Sequence, residues 1–345
     1  MVKQISSRKR EHLQIVGSEP IHFHDITTGF ERYHFIHNAL PEIDFEDVDI
    51  QTDFLGYRLN APLMISSISG GDDESQALNG DLAAAANRAG IALTLGSIRP
   101  ALESSSCLGS YRIARERAPD IPIIANIGAA QIVQQYKASQ LITVLKQIHA
   151  DALSVHLNPL QEVLQPEGEP QFKGVSRAIE ILRETSPYPI IVKEVGFGMS
   201  ADVIRRLHKI GIQWVEVAGA GGTSWSRIEH QRIPDAESRV VAAQFFEWGI
   251  PTAEALQAAV KANRIHVIAS GGIDTGLKFA KAIALGAEIA AAAKPFLQAR
   301  NHAGMTGIDK LIRVFVQTLR IAMFCTGCPT LAKFRGNNAI IAKRE

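Results

Sequence analysis

The chain has 345 residues, 46% hydrophobic and 21% charged, enough to bury one large α/β core or two ordinary ones. A net charge of +1 leaves no electrostatic footprint for nucleic acid, no apolar run reaches the roughly 18 residues of a membrane span, and the N-terminus lacks the apolar stretch of a signal peptide. Three cysteines make no secreted disulfide framework, so the composition reads as a soluble, cytoplasmic protein.

Residues 1–60 differ from the rest. A short basic cluster, Ser6-Ser7-Arg8-Lys9-Arg10-Glu11-His12, opens them, and 20–60 has weak periodicity with scattered His, Asp and Glu. This segment reads as an N-terminal extension packed on the main domain, which runs over 61–345. From Ala61 the pattern becomes regular. Short apolar, β-branched runs occur at PLMISS (62–67), IALTLG (91–96), PIIANIG (122–128), DALSVHL (151–157), PIIVKEVG (189–196), QWVEVAG (213–219), HVIAS (266–270) and EIAAAA (288–293). Helical spacing falls between them, over about 73–89, 110–117, 130–148, 174–185 and 200–209. After HVIAS come Gly271-Gly272, a helix N-cap at Asp274-Thr275, and apolar positions Leu277, Ala280, Ile283 and Ala284, with Gly286 closing the helix. Eight such units predict a closed (β/α)8 TIM barrel, a single α/β domain with its N-terminal extension. Two loops, 158–173 and 219–236, are too long for plain connectors, and both leave the C-terminal ends of strands, where barrel sites are built. An amphipathic helix over 308–323 precedes Cys325-Thr326-Gly327-Cys328. With only Cys107 elsewhere, a four-cysteine metal site is impossible, and the pair reads as two ordinary thiols.

Polar residues collect at the strand ends: Ser67 and Ser69, Ser97 and Arg99, Asn126, His156 and Asn158, Lys193 and Glu194, Glu216, Thr223 and Ser224, and Ser270. Lys193 inside an apolar strand is the sharpest anomaly. A buried ammonium needs either an internal carboxylate, such as Glu194 or Glu216, or a ligand. The Gly-Gly turn at 271–272, followed by a helix start, brings backbone N–H groups to one point and favours a phosphate. Gly219-Ala-Gly221-Gly222-Thr223-Ser224 offers a second set at the adjacent strand end. Two cradles side by side suit a ribityl phosphate, hence FMN, while a P-loop and a dinucleotide fingerprint are missing. His156-Leu-Asn158-Pro-Leu-Gln161-Glu162 presents an imidazole, two amides and a carboxylate together. Glu162 suits Mg²⁺, which takes one or two carboxylates beside substrate phosphates, or it is a solvated loop residue. Arg8, Lys9 and His12 clamp a diphosphate if the extension folds over the barrel mouth, its own or a neighbour's, and are otherwise solvated.

Together these segments resemble the type 2, flavin-dependent isopentenyl-diphosphate isomerases over nearly the whole chain. The likeness rests on Arg8-Lys9-x-x-His12, Ala61-Pro-Leu-Met-Ile-Ser-Ser, Gly96-Ser97-x-Arg99, Ala125-Asn126-Ile-Gly, the 156–162 run, Val192-Lys193-Glu194-Val-Gly-Phe-Gly, Gly-Gly-Thr223-Ser224-Trp225, and Ser270-Gly-Gly-Ile with Pro295-Phe-Leu. It implies interconversion of isopentenyl and dimethylallyl diphosphate with reduced FMN and Mg²⁺, NADPH serving as reductant. FMN would touch Ser67, Ile68, Ser69, Ser97, Asn126, Lys193, Thr223, Gly271, Gly272, Ile273, Ala293 and Lys294. Arg8 and Lys9, with His12, Asn158, Arg99 and Gln161, would bind the isoprenoid diphosphate, Glu162 would hold Mg²⁺, and Gln161 and His156 would be catalytic. An arm working in a neighbour's site implies a homo-oligomer (dimer, tetramer or octamer). The chain departs from the family pattern modestly. Ile68-Ser69 stands where Met-Thr is usual, Ile98 replaces a polar or sulfur-containing residue, and Lys294 replaces Arg. Two competing readings are an FMN-dependent 2-hydroxy-acid oxidoreductase, which wants a His–Arg set the late strands do not offer, and a non-catalytic FMN-binding regulator.

Overall fold

The computed structural model describes residues 11, 12, 15, 21–68, 71–262 and 264–343. Before the barrel come β1 (Tyr33–Phe35) and the antiparallel hairpin of β2 (Thr52–Phe54) and β3 (Tyr57–Leu59). The eight forecast strands follow as β4 (Leu63–Ile65), β5 (Ala92–Ser97), β6 (Ile123–Gly128), β7 (Ala152–Leu157), β8 (Ile190–Glu194), β9 (Trp214–Glu216), β10 (His266–Ala269) and β11 (Ile289–Ala292). Each is parallel to its neighbours, and β11 pairs back to β4 to close the barrel. A final strand, β12 (Ile341–Lys343), pairs antiparallel with β1.

The alternation of side chains along a strand determines what the barrel holds inside. Met64, Ala92, Ile124, Ala152, Ile191 and Ile268 fill the lower interior with Ile289 and Ala291. Phe54 and Leu59 of the β2–β3 hairpin join this cluster and plug the N-terminal end. Two residues further along each strand, the inward positions become Ser66, Thr94, Asn126, Ser154, Lys193 and Ser270, with Glu216 two beyond Trp214, and all of these are buried. An apolar layer is therefore overlaid by a polar one. The outward residues of the same strands, such as Leu63, Ile65, Leu93, Val192 and Val215, pack against the surrounding helices in one continuous core.

The helix after β10 runs Gly276–Ala284, and the Thr275 side chain accepts from Lys278 N–H as its N-cap. The helix expected over 130–148 is two, Ala129–Gln134 and Ala138–Ile148. The Gln140 side chain accepts from Lys137 N–H at 2.9 Å, a local bond that starts the second helix afresh. The expected 308–323 helix belongs to a helical run over Lys294–Phe324 that is kinked at Ala303 and Gly304. Both long loops carry helices of their own, Pro159–Leu164 in one and Trp225–Arg232 in the other. The extension spans the molecule. Its hairpin plugs the base, β1 meets β12, and His22 bridges Thr223 at the opposite, C-terminal end of the barrel. The three thiols are free, and among the described residues no helix is long and apolar enough to cross a membrane.

Candidate active site

A cavity of about 450 Å³ opens at the C-terminal ends of the strands, within the roughly 300–1,000 Å³ usual for cofactor and ligand sites. Its lining includes His12, Ser67, Ile68, Ser97, Arg99, Asn126, His156, Asn158, Gln161, Glu162, Lys193, Thr223, Gly271, Gly272, Ile273, Ala293 and Lys294. Every site residue forecast from the sequence that falls among the described residues is thus in one place. Arg8, Lys9 and Ser69 lie outside the described residues.

The polar inner layer forms the floor. Lys193 Nζ donates to the Glu194 carbonyl at 2.7 Å and lies 3.9 Å from Glu216 Oε1. That same oxygen accepts from Ser66 Oγ at 2.9 Å and from Ser270 Oγ at 2.7 Å. Glu216, buried, is thus held by both serines and by the lysine charge. The carboxylate of Glu194 turns the other way. Its Oε2 accepts from the N–H groups of Val195, Gly196 and Phe197 at 2.5–2.7 Å and from Gly198 at 3.2 Å, shaping the turn that leaves β8. Burial pushes this carboxyl up to about 7, against the pull of those donors. Lys193 therefore has a carboxylate only at long range, and its ammonium faces the cavity. On the neighbouring strands His156 Nδ1 is 3.0 Å from Asn126 Oδ1, and Asn126 Nδ2 donates to Ser67 Oγ at 3.1 Å. With Nδ1 donating to the amide oxygen, the imidazole is fixed in orientation and tautomer.

The two glycine-rich turns meet beside the floor. A Cβ on Gly222 would lie 2.4 Å from Gly272 N, and one on Gly271 would lie 2.1 Å from Gly219 O, so only glycine permits this approach. The N–H groups of Gly222, Thr223, Gly271, Gly272 and Ile273 donate to no other described group. A cradle of unused donors beside the start of a helix fits an anion. Lys294 stands next to it, and burial holds its ammonium below the usual lysine range.

The rim is a network of ions and amides. Asn158 Nδ2 donates to Glu162 Oε1 at 2.9 Å, and Glu162 Oε2 accepts from Glu169 N–H at 2.7 Å. Gln161 Nε2 donates to Glu229 Oε1 at 2.9 Å, and His12 Nε2 lies 3.1 Å from the same oxygen, within ion-pair range although off hydrogen-bond geometry. Arg232 binds Glu229, Glu167 and Glu11 at once. Against the upward push of burial, His12, Gln161 and Arg232 hold the Glu229 carboxyl below its ordinary range. Across the mouth Arg99 pairs with Glu169 at 2.7 Å, and Gln131 and Gln135 donate to the same carboxylate. Three buried polar atoms in this wall, Arg99 Nε, Asn158 Oδ1 and Gln165 Nε2, have no partner among the described residues. Native interiors leave few such atoms, so these favour a polar ligand.

Sequence reasoning assigned no site role to Glu229, Glu169, Gln131, Gln165 or His22. A signal existed for Glu229. Trp225, Ile228, Glu229 and Arg232 fall on one helical face, so a carboxylate sits among inward-facing positions. Glu169 and His22 lie in irregular segments, where no periodicity marks a residue as inward.

The FMN-dependent dehydrogenase family model matches residues 126–341. An isopentenyl-diphosphate delta-isomerase of Stutzerimonas stutzeri (strain A1501) is 45% identical over 337 residues, 97% of each chain. One from Nostoc sp. (strain PCC 7120) is 41% identical, covering 98% of this chain and 96% of its own. One from Methanothermobacter thermautotrophicus is 43% identical over 98% of this chain and 93% of its own. Among solved structures, a mandelate oxidase with (S)-4-hydroxymandelic acid superposes with a TM-score of 0.66 at 16% identity, over 99% of both chains. A flavocytochrome b2 variant with sulfite bound gives 0.68 at 18% identity, over 97% of this chain and 78% of that one. At those identities the structural likeness speaks for the fold alone.

Proposed function

The chain belongs to the FMN-dependent dehydrogenase family and, within it, to the isopentenyl-diphosphate delta-isomerases, and from that premise we propose how its residues divide the work. The polar floor would hold the FMN ring, and the double glycine cradle its phosphate. Bound and reduced, the flavin supplies an acid–base centre at its N5 edge, so that isomerisation needs no net redox change. Lys193 would hold the electron-rich edge of the ring, and Glu216, fixed by Ser66 and Ser270, aims that lysine. Asn126 and Ser67 line the ring, and Asn126 sets the His156 imidazole toward the substrate. Fitting the cofactor to the site rests on the unused cradle donors and on an ammonium whose carboxylate partner is distant.

The isoprenoid diphosphate sits between the floor and the rim. Gln161 is held at both ends of its amide, by Asn158 and by Glu229, and orients the isoprenoid part. Arg99 and His12 bind the diphosphate, joined by Arg8 and Lys9. Glu162 carries Mg²⁺. Each of its oxygens has one hydrogen bond and retains a further lone pair, and substrate phosphates and water complete a shell that no cluster of three His, Cys, Asp or Glu among the described residues offers. NADPH would serve as the reductant, and the working form would be a homo-oligomer in the cytoplasm.

The observation that carries this reading is that one cavity joins the glycine cradle to the Asn158–Gln161–Glu162 turn. The test is to incubate the purified yellow protein with isopentenyl diphosphate, Mg²⁺ and NADPH and to look for dimethylallyl diphosphate. Full activity with reduced 5-deaza-FMN would refute acid–base work at N5. Glu162→Gln is expected to abolish Mg²⁺-dependent isomerisation while FMN stays bound.

A further inference from the structure

His22 belongs to the extension, yet it faces the phosphate cradle. Its neighbours Ile21 and Phe23 are buried, and alternation along an extended segment turns the imidazole the other way, to the cavity lining. The segment is fixed by Ser224 N–H donating to Ile21 O at 2.8 Å and Phe23 N–H to Gly222 O at 3.4 Å. His22 Nε2 lies 2.9 Å from Lys294 Nζ. No carboxylate stands within ion-pair distance of that ammonium among the described residues, the nearby Asp274 being paired with Lys278 at 2.8 Å.

An ammonium donating to an imidazole leaves no room for a second proton. If His22 were charged, two like-charged groups would face each other at hydrogen-bond distance. An anion accepting from both relieves that repulsion, and the unused N–H groups of Gly271, Gly272 and Ile273 mark where an anion sits. We propose that His22 and Lys294 form a two-armed clamp for the phosphate of FMN, and that the imidazole takes up a proton from solvent as the phosphate dianion arrives. This rests on the reading of the cavity as a flavin site. The groups that face His22 are Lys294 at the start of the helix after β11, Asp274 and Lys278 after β10, and the Gly222 backbone after β9. Burial first, then Lys294, holds the imidazole below its ordinary range before the anion binds. A neighbouring dianion raises it. Proton uptake therefore strengthens FMN binding at low pH, and the gain fades as pH rises through the value in the complex.

The test compares dissociation constants of FMN and riboflavin for the full-length, flavin-stripped wild type and for His22→Gln, at pH 6 and pH 9. The phosphate of FMN itself titrates near pH 6, but equally in both proteins, so the ratio between them isolates His22. At pH 6 His22→Gln is expected to weaken FMN roughly tenfold, the scale of one charge-assisted hydrogen bond, and at pH 9 only about twofold, with riboflavin unchanged. A ratio that is the same at both pH values overturns the proton uptake. Equal loss of riboflavin overturns the clamp, since a structural defect would cost both ligands alike. Equal binding of FMN and riboflavin by the wild type overturns the clamp alone, whereas binding of neither overturns the flavin reading and the clamp with it.

Discussion

The floor of the cavity sits on strands of one closed barrel, and its polar residues come two positions after an apolar one in almost every strand. The rim draws on residues 12, 21–28, 99, 158–169 and 225–247, which meet through ion pairs, side-chain hydrogen bonds and a small apolar cluster of Phe23, Ile26, Leu160 and Trp225. On the floor a residue's place is dictated by strand register, and a change is felt as burial of an uncompensated group. On the rim a residue's place is dictated by its partners, and a change is felt as altered orientation. The largest expected effect breaks the floor. Lys193→Met leaves Glu216 as a buried carboxylate with two serines but no cation, at an expected loss of about 3 kcal/mol in urea unfolding and loss of bound flavin. Adding Glu216→Gln should return most of the stability without returning turnover. If the single and double variants unfold alike, the two charges do not interact.

The next effect belongs to the rim at its most buried point. Glu229→Gln keeps the shape but replaces the acceptor that holds Gln161 and faces His12 and Arg232. Turnover is expected to fall about a hundredfold, as for the loss of one orienting group in a preorganised site, with flavin content unchanged. A comparable fall in flavin content would show that floor and rim are not separable. A smaller and opposite effect is expected at Glu169. Its carboxylate occupies Arg99, the cation proposed to meet the diphosphate. Against burial, Gln131 and Arg99 hold that carboxyl below its ordinary range, so it is charged at neutral pH. Glu169→Gln is therefore expected to tighten inhibition by inorganic diphosphate severalfold, and unchanged inhibition would mean Arg99 does not bind it.

The same contrast explains what could be read from the sequence. PIIVKEVG announces both a buried strand and a misplaced charge, and Gly271-Gly272 announces a turn that a Cβ would close, because period-two alternation and glycine stereochemistry are local properties. The eight strands emerged within three residues at either end for that reason. The sequence also left Lys193 open between Glu194 and Glu216. The structure assigns Glu194 to the turn after β8 and only Glu216 to the lysine, a choice that depends on β9 lying beside β8. Nothing local links Glu11 and Glu167 to the Glu229–Arg232 pair, or Glu169 to Arg99, since those meetings are made by the packing of the extension and the loops over the barrel. The break at 135–137 was likewise hidden, because one side-chain bond from Gln140 overrides a helical pattern that runs on through it.

The smallest effect tests how the extension is fastened to the rim. Glu247 accepts from the N–H groups of His24, Asp25 and Ile26 at 3.0–3.2 Å and pairs with Arg227 at 2.8 Å. Against the push of burial, the Ile26 N–H, Arg227 and the His24 and Asp25 donors hold its carboxyl down to about 2. A depressed carboxyl contributes stability that is complete above its unfolded value, near 4.5, and disappears as pH falls through about 2. The group is partly exposed, so the contribution is modest and screened by salt. The fastening of residues 24–26 should therefore be independent of pH between 5 and 8 and weaken below about 4.5, whereas the barrel strands keep theirs. Amide exchange of 24–26 followed down the pH scale, corrected for intrinsic rates, reads this directly. In Glu247→Gln the same amides should exchange faster by roughly five- to tenfold already at pH 7, and β4–β11 should not change. Because His22 is two residues away, that variant should also loosen FMN but spare riboflavin. If the strand amides quicken in step with 24–26, the extension is part of one cooperative unit with the floor, and the contrast between floor and rim holds for geometry but not for stability.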